Sequence, residues 1–208
     1  MPILMILAAA SGLTVPNLGI DAARYLQEHT KDVKSGAATV EMVIGANGRL
    51  MKCAVLHQVG DAKLADRVCG LLAQLTFDPG TLGDGTKAAA LIKPHIAAYQ
   101  EDYSAADALQ GLPKPSEDPD LVLTSAQLPG DEATADARVG VAVDTAGLVS
   151  QCVAASDGDP KAKGIAKAIC ANAATMKFMP LIDNANRPIP YVRWLQVHLA
   201  VDGAKVGN

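Results

Sequence analysis

Aromatic side chains are scarce: two Phe, four Tyr and one Trp among 208 residues. Any core must therefore be assembled from Ala, Val, Leu and Ile. No Lys/Arg-rich run occurs, and the net charge is −4. That argues against nucleic acid as a partner, because binding it relies on clustered cations that release counterions from the phosphates. No apolar run reaches the roughly 20 residues that a membrane-spanning helix needs. Neither G-x-x-x-x-G-K-[ST] nor G-x-G-x-x-G is present, which removes the common phosphate cradles. The four histidines, His29, His57, His95 and His198, are scattered along the chain. Ser156-Asp157 has no histidine within the same sequence neighbourhood to complete a triad. The expectation is a protein without catalytic activity, cofactor or metal. What the chain does have is apolar content of 50%, enough for a packed core.

The first residues read MPILMILAAASG. A short apolar stretch ending in Ala8-Ala9-Ala10 fits a secretory signal with an A-x-A cleavage site, although no basic residue precedes Arg24. The alternative is a buried N-terminal strand. Residues 1–19 are set apart on this basis.

A longer pattern then occurs twice. Val40–Ile44 leads into the turn Gly45-Ala-Asn-Gly48, and Val139–Val143 leads into Asp144-Thr-Ala-Gly147. A second apolar strand follows each turn, so each half opens with a β-hairpin. After Gly60-Asp61, Leu64, Val68, Leu71, Leu72 and Leu75 recur at helical spacing. After Gly158-Asp159-Pro160, Ile165, Ile169, Ala173 and Met176 do the same. Asp159 suits an N-cap and Pro160 the first helical turn. Each helix precedes a Phe-x-Pro, Phe77-Asp-Pro79 or Phe178-Met-Pro180, and each half closes with a strand, 88–99 or 191–201. Gly147 lies 99 residues after Gly48, Cys152 lies 99 after Cys53, and Cys170 lies 101 after Cys69. These repeats predict an α+β chain of two tandem β-β-α-β domains. Each would be an antiparallel three-stranded sheet with one packed helix. The domains span 20–99, opened by a short amphipathic helix from Ile20 to Val33, and 133–203. A Pro-rich acidic linker, 100–132, joins them.

Each half carries one cysteine on its second strand and one in its helix: Cys53 with Cys69, and Cys152 with Cys170. Four cysteines allow three connectivities, and the repeat selects the one within each half. A bridge closing a loop of about 16 residues contributes roughly 3 kcal/mol, useful to a small core. It also requires an oxidising compartment. Two other readings stand beside it: free buried thiols, and zinc held by Cys53, His57 and Cys69. The zinc set lacks an obvious fourth ligand.

The order of these parts resembles the C-terminal domain of the TonB family of periplasmic energy transducers. The resemblance rests on VAVDTAGLVSQCVAASDGDP, FMP and RWLQVHL in the second half, and on VIGANGRLMKCAVLHQVGDAKLAD and FDP in the first. The paired cysteines are also similar to those of some TonB-like periplasmic proteins. The Tyr-Pro that often precedes the family's first strand is absent, as are a membrane anchor and a long Pro-rich arm. The resemblance implies a periplasmic or secreted location. It further implies that the last strand pairs with a segment of an envelope protein, with a link to TonB-dependent transport.

An open sheet edge can accept a partner's strand through backbone hydrogen bonds. Tyr191–Ala200 is the candidate strand. Alternation places Arg193, Leu195, Val197 and Leu199 under the helix, with Val192, Trp194, Gln196 and His198 on the other face. Val192, Arg193, Trp194, Gln196 and His198 are the candidate partner-binding residues. Trp194 is also a candidate to cover its own sheet. Pro94 blunts the equivalent edge of the first half, since proline donates no ladder bond. Two other functions are kept in view. One is a structural protein whose repeats pair with each other or with a second copy. The other is an enzyme built on His57 and Asp61.

Overall fold

The computed structural model describes residues 12–114, 118–126, 128, 133–155 and 160–201. Ala8–Ala10, the Ser156-Asp157 pair, the Asp159 cap and parts of the 100–132 stretch lie outside them. The elements, in order, are α1 (Ile20–His29), β1 (Ser35–Ile44), β2 (Leu50–Gly60), α2 (Ala62–Leu72), β3 (Gly80–Thr81), β4 (Lys87–Ile92), β5 (His95–Tyr99), α3 (Ala105–Leu109), β6 (Leu121–Ser125), β7 (Thr134–Val143), β8 (Val149–Ala154), α4 (Pro160–Asn172), β9 (Leu181–Ile182), β10 (Pro188–Ile189) and β11 (Tyr191–Val201).

Both expected hairpins form, by the same device. β1 and β2 pair antiparallel across a turn in which the Gly45 amide donates to Arg49 O and the Gly48 amide to Gly45 O. β7 and β8 repeat it with the Asp144 amide on Leu148 O and the Gly147 amide on Asp144 O. The turn glycines also explain the Phe-x-Pro motif. Gly48 has φ 77° and Gly147 φ 84°, a region that side chains with a Cβ avoid. Their carbonyls accept the Phe77 and Phe178 amides at 2.9 and 2.7 Å. A Cβ on either glycine would stand only 2.4 or 2.1 Å from the same phenylalanine's carbonyl oxygen. The two repeated motifs are thus the two sides of one close backbone contact that locks each hairpin tip to the end of its helix.

Two separate three-stranded sheets do not form. One nine-stranded mixed sheet runs β2-β1-β4-β11-β7-β8, with β3 on β4, β5 on β1 and β6 on β11; β9 and β10 make a small separate hairpin. The order reads outward from the middle as last strand, first strand, second strand in both directions. The two last strands meet at the centre, parallel, through Tyr191↔Ala89, Val192↔Ala90 and Arg193↔Leu91. Ala88, Ala90, Ile92 and Val192 share a core with α1 and α2. Ala89, Leu91, Tyr191 and Leu195 share the other core with α4. Alternate residues of one strand face opposite ways, so α2 and α4 cover opposite faces of the sheet. For this reason Val139–Val143 is buried throughout rather than on alternate residues.

Two further expectations change. The 100–132 stretch is not only a linker: α3 packs on β1 and β5, and β6 joins β11 as a parallel neighbour through Val197↔Leu121 to Val201↔Ser125. Within the 1–19 segment, Leu13 and Val15 are buried and Thr14 bridges Thr81. The opening helix ends at His29, short of Val33. Asp61, the expected helix start, caps α2 by accepting the Lys63 amide at 3.1 Å.

Both disulfides are present, Cys53–Cys69 and Cys152–Cys170, with Cα separations of 5.7 and 5.3 Å, and none of the four cysteines is free. The zinc set therefore does not exist. Each bridge ties an outermost strand of the main sheet path, β2 or β8, to its helix. No helix among the described residues is long and apolar enough to cross a membrane.

Candidate functional site: a cavity where the central seam forks

β4 and β11 stay together for only three residue pairs. At Lys93-Pro94 the first half's last strand stops and restarts as β5, which follows β1 instead. Pro94 keeps a role there by accepting the Val40 amide on its carbonyl at 3.0 Å. β11 gains β6 only from Val197 onward. Among the described residues, one side of β11 thus has no neighbouring strand between Arg193 and Val197.

Asp120, the residue before β6, fills this gap. Its carboxylate accepts the Gln196 amide at 3.0 Å, as a neighbouring strand's carbonyl would. It also accepts from Lys93 Nζ at 2.8 Å and from the Arg193 guanidinium. The Asp120 side chain is only 9% exposed and that of Arg193 13%. A charge this enclosed demands partners, and here it has two cations and an amide.

Around this point lies a cavity of about 300 Å³. Alternation along the strands shows that its walls come from both faces of the sheet. Thr39, Lys93, His95 and Arg193 lie on the face of Leu91, whereas Ile92 and Trp194 belong with the core of α1 and α2. Leu18 and Pro113 add apolar wall.

On the first face, Thr39 stands in register with His57 of β2 and His95 of β5. The Thr39 hydroxyl is 2.9 Å from His95 Nδ1. Burial, with a smaller push from nearby His57, lowers the pKa of His95 below the usual histidine value. His57 faces Asp118, Nε2 to Oδ2 3.4 Å, and not Asp61. Asp61 is committed to the α2 cap and to the Lys34 amide. The His57–Asp61 site expected from sequence does not assemble. Thr39 is 6% exposed, too enclosed to serve readily as a nucleophile.

The five candidate partner-binding residues separate. Arg193, Trp194 and Gln196 line the cavity. Val192 is fully buried in the first core. His198, expected on a polar face, has a side chain only 15% exposed and holds Asp136 at 2.8 Å through Nδ1. Neither Val192 nor His198 reaches the cavity. Sequence reasoning missed Asp118, Asp120, Lys93 and Arg138. The available signals were the strand-breaking Pro94 and the Asp118-Pro-Asp120 stretch inside the supposed linker.

Trp194 covers its own sheet. It lies opposite Gly140 on β7, where a Cβ would come within 3.3 Å of the indole. The Arg138 guanidinium stands 4.3 Å from the ring centre, a cation–π contact. Among the described residues the enclosed indole N–H has no hydrogen-bond acceptor, a state that costs about 1–3 kcal/mol. Trp194→Phe keeps a ring over Gly140 and removes the orphan donor. Its urea-unfolding free energy should stay within about 1.5 kcal/mol of the parent, whereas Trp194→Ala should lose about 2 kcal/mol or more. Equal losses in the two variants would show that the N–H, not the ring, is what matters.

Comparison with protein-family models, curated protein sequences and solved structures gives no match. What the fold and site define is an α+β protein with two disulfides and a small polar-floored cavity at the centre of its sheet.

Proposed function

We propose that this is a non-catalytic binding module of an oxidising compartment outside the cytoplasm, such as a bacterial periplasm. It is built from two halves that resemble TonB C-terminal domains. In this reading the last strands, the elements such domains offer to partners, are used by the two halves on each other. The supporting observation is that β11 is flanked by β7 along one side and by β4, Asp120 and β6 along the other. That arrangement favours the self-pairing alternative over strand addition at Tyr191–Ala200. A partner that adds a strand would have to use an edge away from β11's own neighbours: β2 or β8 at the ends of the main path, or the far side of β5 or β6. The β2 edge carries a bulge opposite Thr39-Val40 and an exposed Leu56, features that disturb regular pairing. Thr39, whose hydroxyl is 2.9 Å from His95 Nδ1, is only 6% exposed, an enclosure that favours the binding reading over a nucleophilic one.

Amide hydrogen exchange tests the reading. The amides of 192–200 should exchange only through global unfolding, and far more slowly than the outer-edge amides of β2. Fast exchange along β11, together with loss of a captured envelope partner on inserting proline at Gln196, would restore strand addition.

A further inference from the structure

We propose that the forked seam is a binding site for a small amphipathic organic anion: a carboxylate head on a slender apolar body. The inference goes beyond the non-catalytic reading and needs only the seam.

The head group is argued from charge. Lys93 and Arg193 both converge on the one carboxylate of Asp120, two cations to one anion. Lys93 is a third exposed, so its ammonium has donors left after meeting Asp120. Arg193 uses Nη2 on Asp120 and Nε on the Trp194 carbonyl, leaving further guanidinium N–H groups. The chain as a whole carries −4, so a basic pair in excess over its carboxylate is a local reversal of sign. It attracts a carboxylate and repels an amine.

The body is argued from the walls. From the cationic floor the cavity continues through the fork, past Pro94 and Ile92 to Trp194 and Leu18 on the opposite face. At about 300 Å³ it is at the small end of ligand pockets. Charged groups converge at the Asp120 end, and Leu18, Ile92 and Trp194 give apolar wall at the other beside the Arg138 stacked on the indole; such a mixture is the pattern of a site for a small organic molecule. A bare inorganic anion would leave the apolar end unfilled. A folded partner would not enter a gap the width of one missing strand.

Trp194 is the only tryptophan in the chain and lines the cavity, so its fluorescence reports occupancy directly. The full-length, disulfide-bonded protein is titrated with hexanoate and octanoate, with hexylamine and octanol as controls, and calorimetry runs in parallel. A saturable change in emission with octanoate is expected, with octanol and hexylamine at least tenfold weaker. Lys93→Met should weaken octanoate about tenfold and leave octanol unchanged. Circular dichroism and the urea midpoint show whether that variant remains folded; if it does not, Lys93→Gln replaces it. Three results overturn the proposal: no saturable signal or heat from any carboxylate on folded protein, octanol matching octanoate, or unchanged octanoate affinity in the folded Lys93 variant. The exchange experiment on β11 stands apart, so either proposal can fail without the other.

Discussion

Removing both disulfides should bring the protein to the edge of unfolding at room temperature. Each bridge closes a loop of similar length, with sequence separations of 16 and 18 residues. In the chain-entropy account, loops of that size contribute about 3 kcal/mol each. The bridges belong to different cores and tie different helices, so their effects should add. The sum, about 6 kcal/mol, compares with the 5–15 kcal/mol total stability of ordinary domains. Cys53→Ala/Cys69→Ala and Cys152→Ala/Cys170→Ala should each lower the unfolding free energy by about 3 kcal/mol, measured by urea titration. The four-fold variant should show a shallow or absent transition. An unchanged midpoint in the four-fold variant would mean that non-covalent packing alone holds the edges of the sheet.

The position of the bridges sharpens this expectation. β2 and β8 end the main strand path, each with a neighbour on one side only. Each is held by its hairpin turn, by its helix and by the sulfur link between them. The centre of the sheet, where β7 and β11 pair over ten residues, has no such need. The cross-links stand where backbone pairing is thinnest, so the outer amides should lose exchange protection first on reduction.

The elements that proved legible in the sequence were those with local causes. A positive-φ glycine, a helical repeat of apolar residues and a cysteine pair recurring at a constant offset each leave a mark within about twenty residues. The hairpins, α2, α4 and the sulfur pairing follow from such marks. The seam leaves none. β4 and β11 lie about a hundred residues apart, and their contact is made by residues of no distinctive pattern: Ala89, Ala90 and Leu91 against Tyr191, Val192 and Arg193. Those residues suit a free edge equally well. Alternation correctly placed Arg193, Leu195, Val197 and Leu199 on one face, but it could not show that Val192 on the other face is covered by the first half's core. β6 was hidden for a related reason. Its LVLTS is short and follows a proline-rich acidic run that reads as linker. The same composition concealed Asp120, whose importance comes only from the gap it fills.

That gap gives the second large expected effect. Asp120→Asn keeps the shape of the side chain and an oxygen for the Gln196 amide, but leaves Lys93 and Arg193 facing each other without an anion. Breaking an enclosed ion pair from one side costs about 3–5 kcal/mol. Lys93 is partly in water and can turn outward, so about 2–4 kcal/mol is expected here. The loss should come mainly from the stranded Arg193 guanidinium rather than from a missing attraction. The double variant Asp120→Asn/Arg193→Met should therefore recover part of the stability, since an apolar side chain at 193 extends the wall formed by Leu91 and Phe178. A thermodynamic cycle from urea midpoints separates the two cases. Recovery of 1 kcal/mol or more assigns Asp120 the role of neutralising the fork. A double variant as unstable as the sum of the singles would instead make Asp120 chiefly a substitute strand, holding β11 through the Gln196 amide alone.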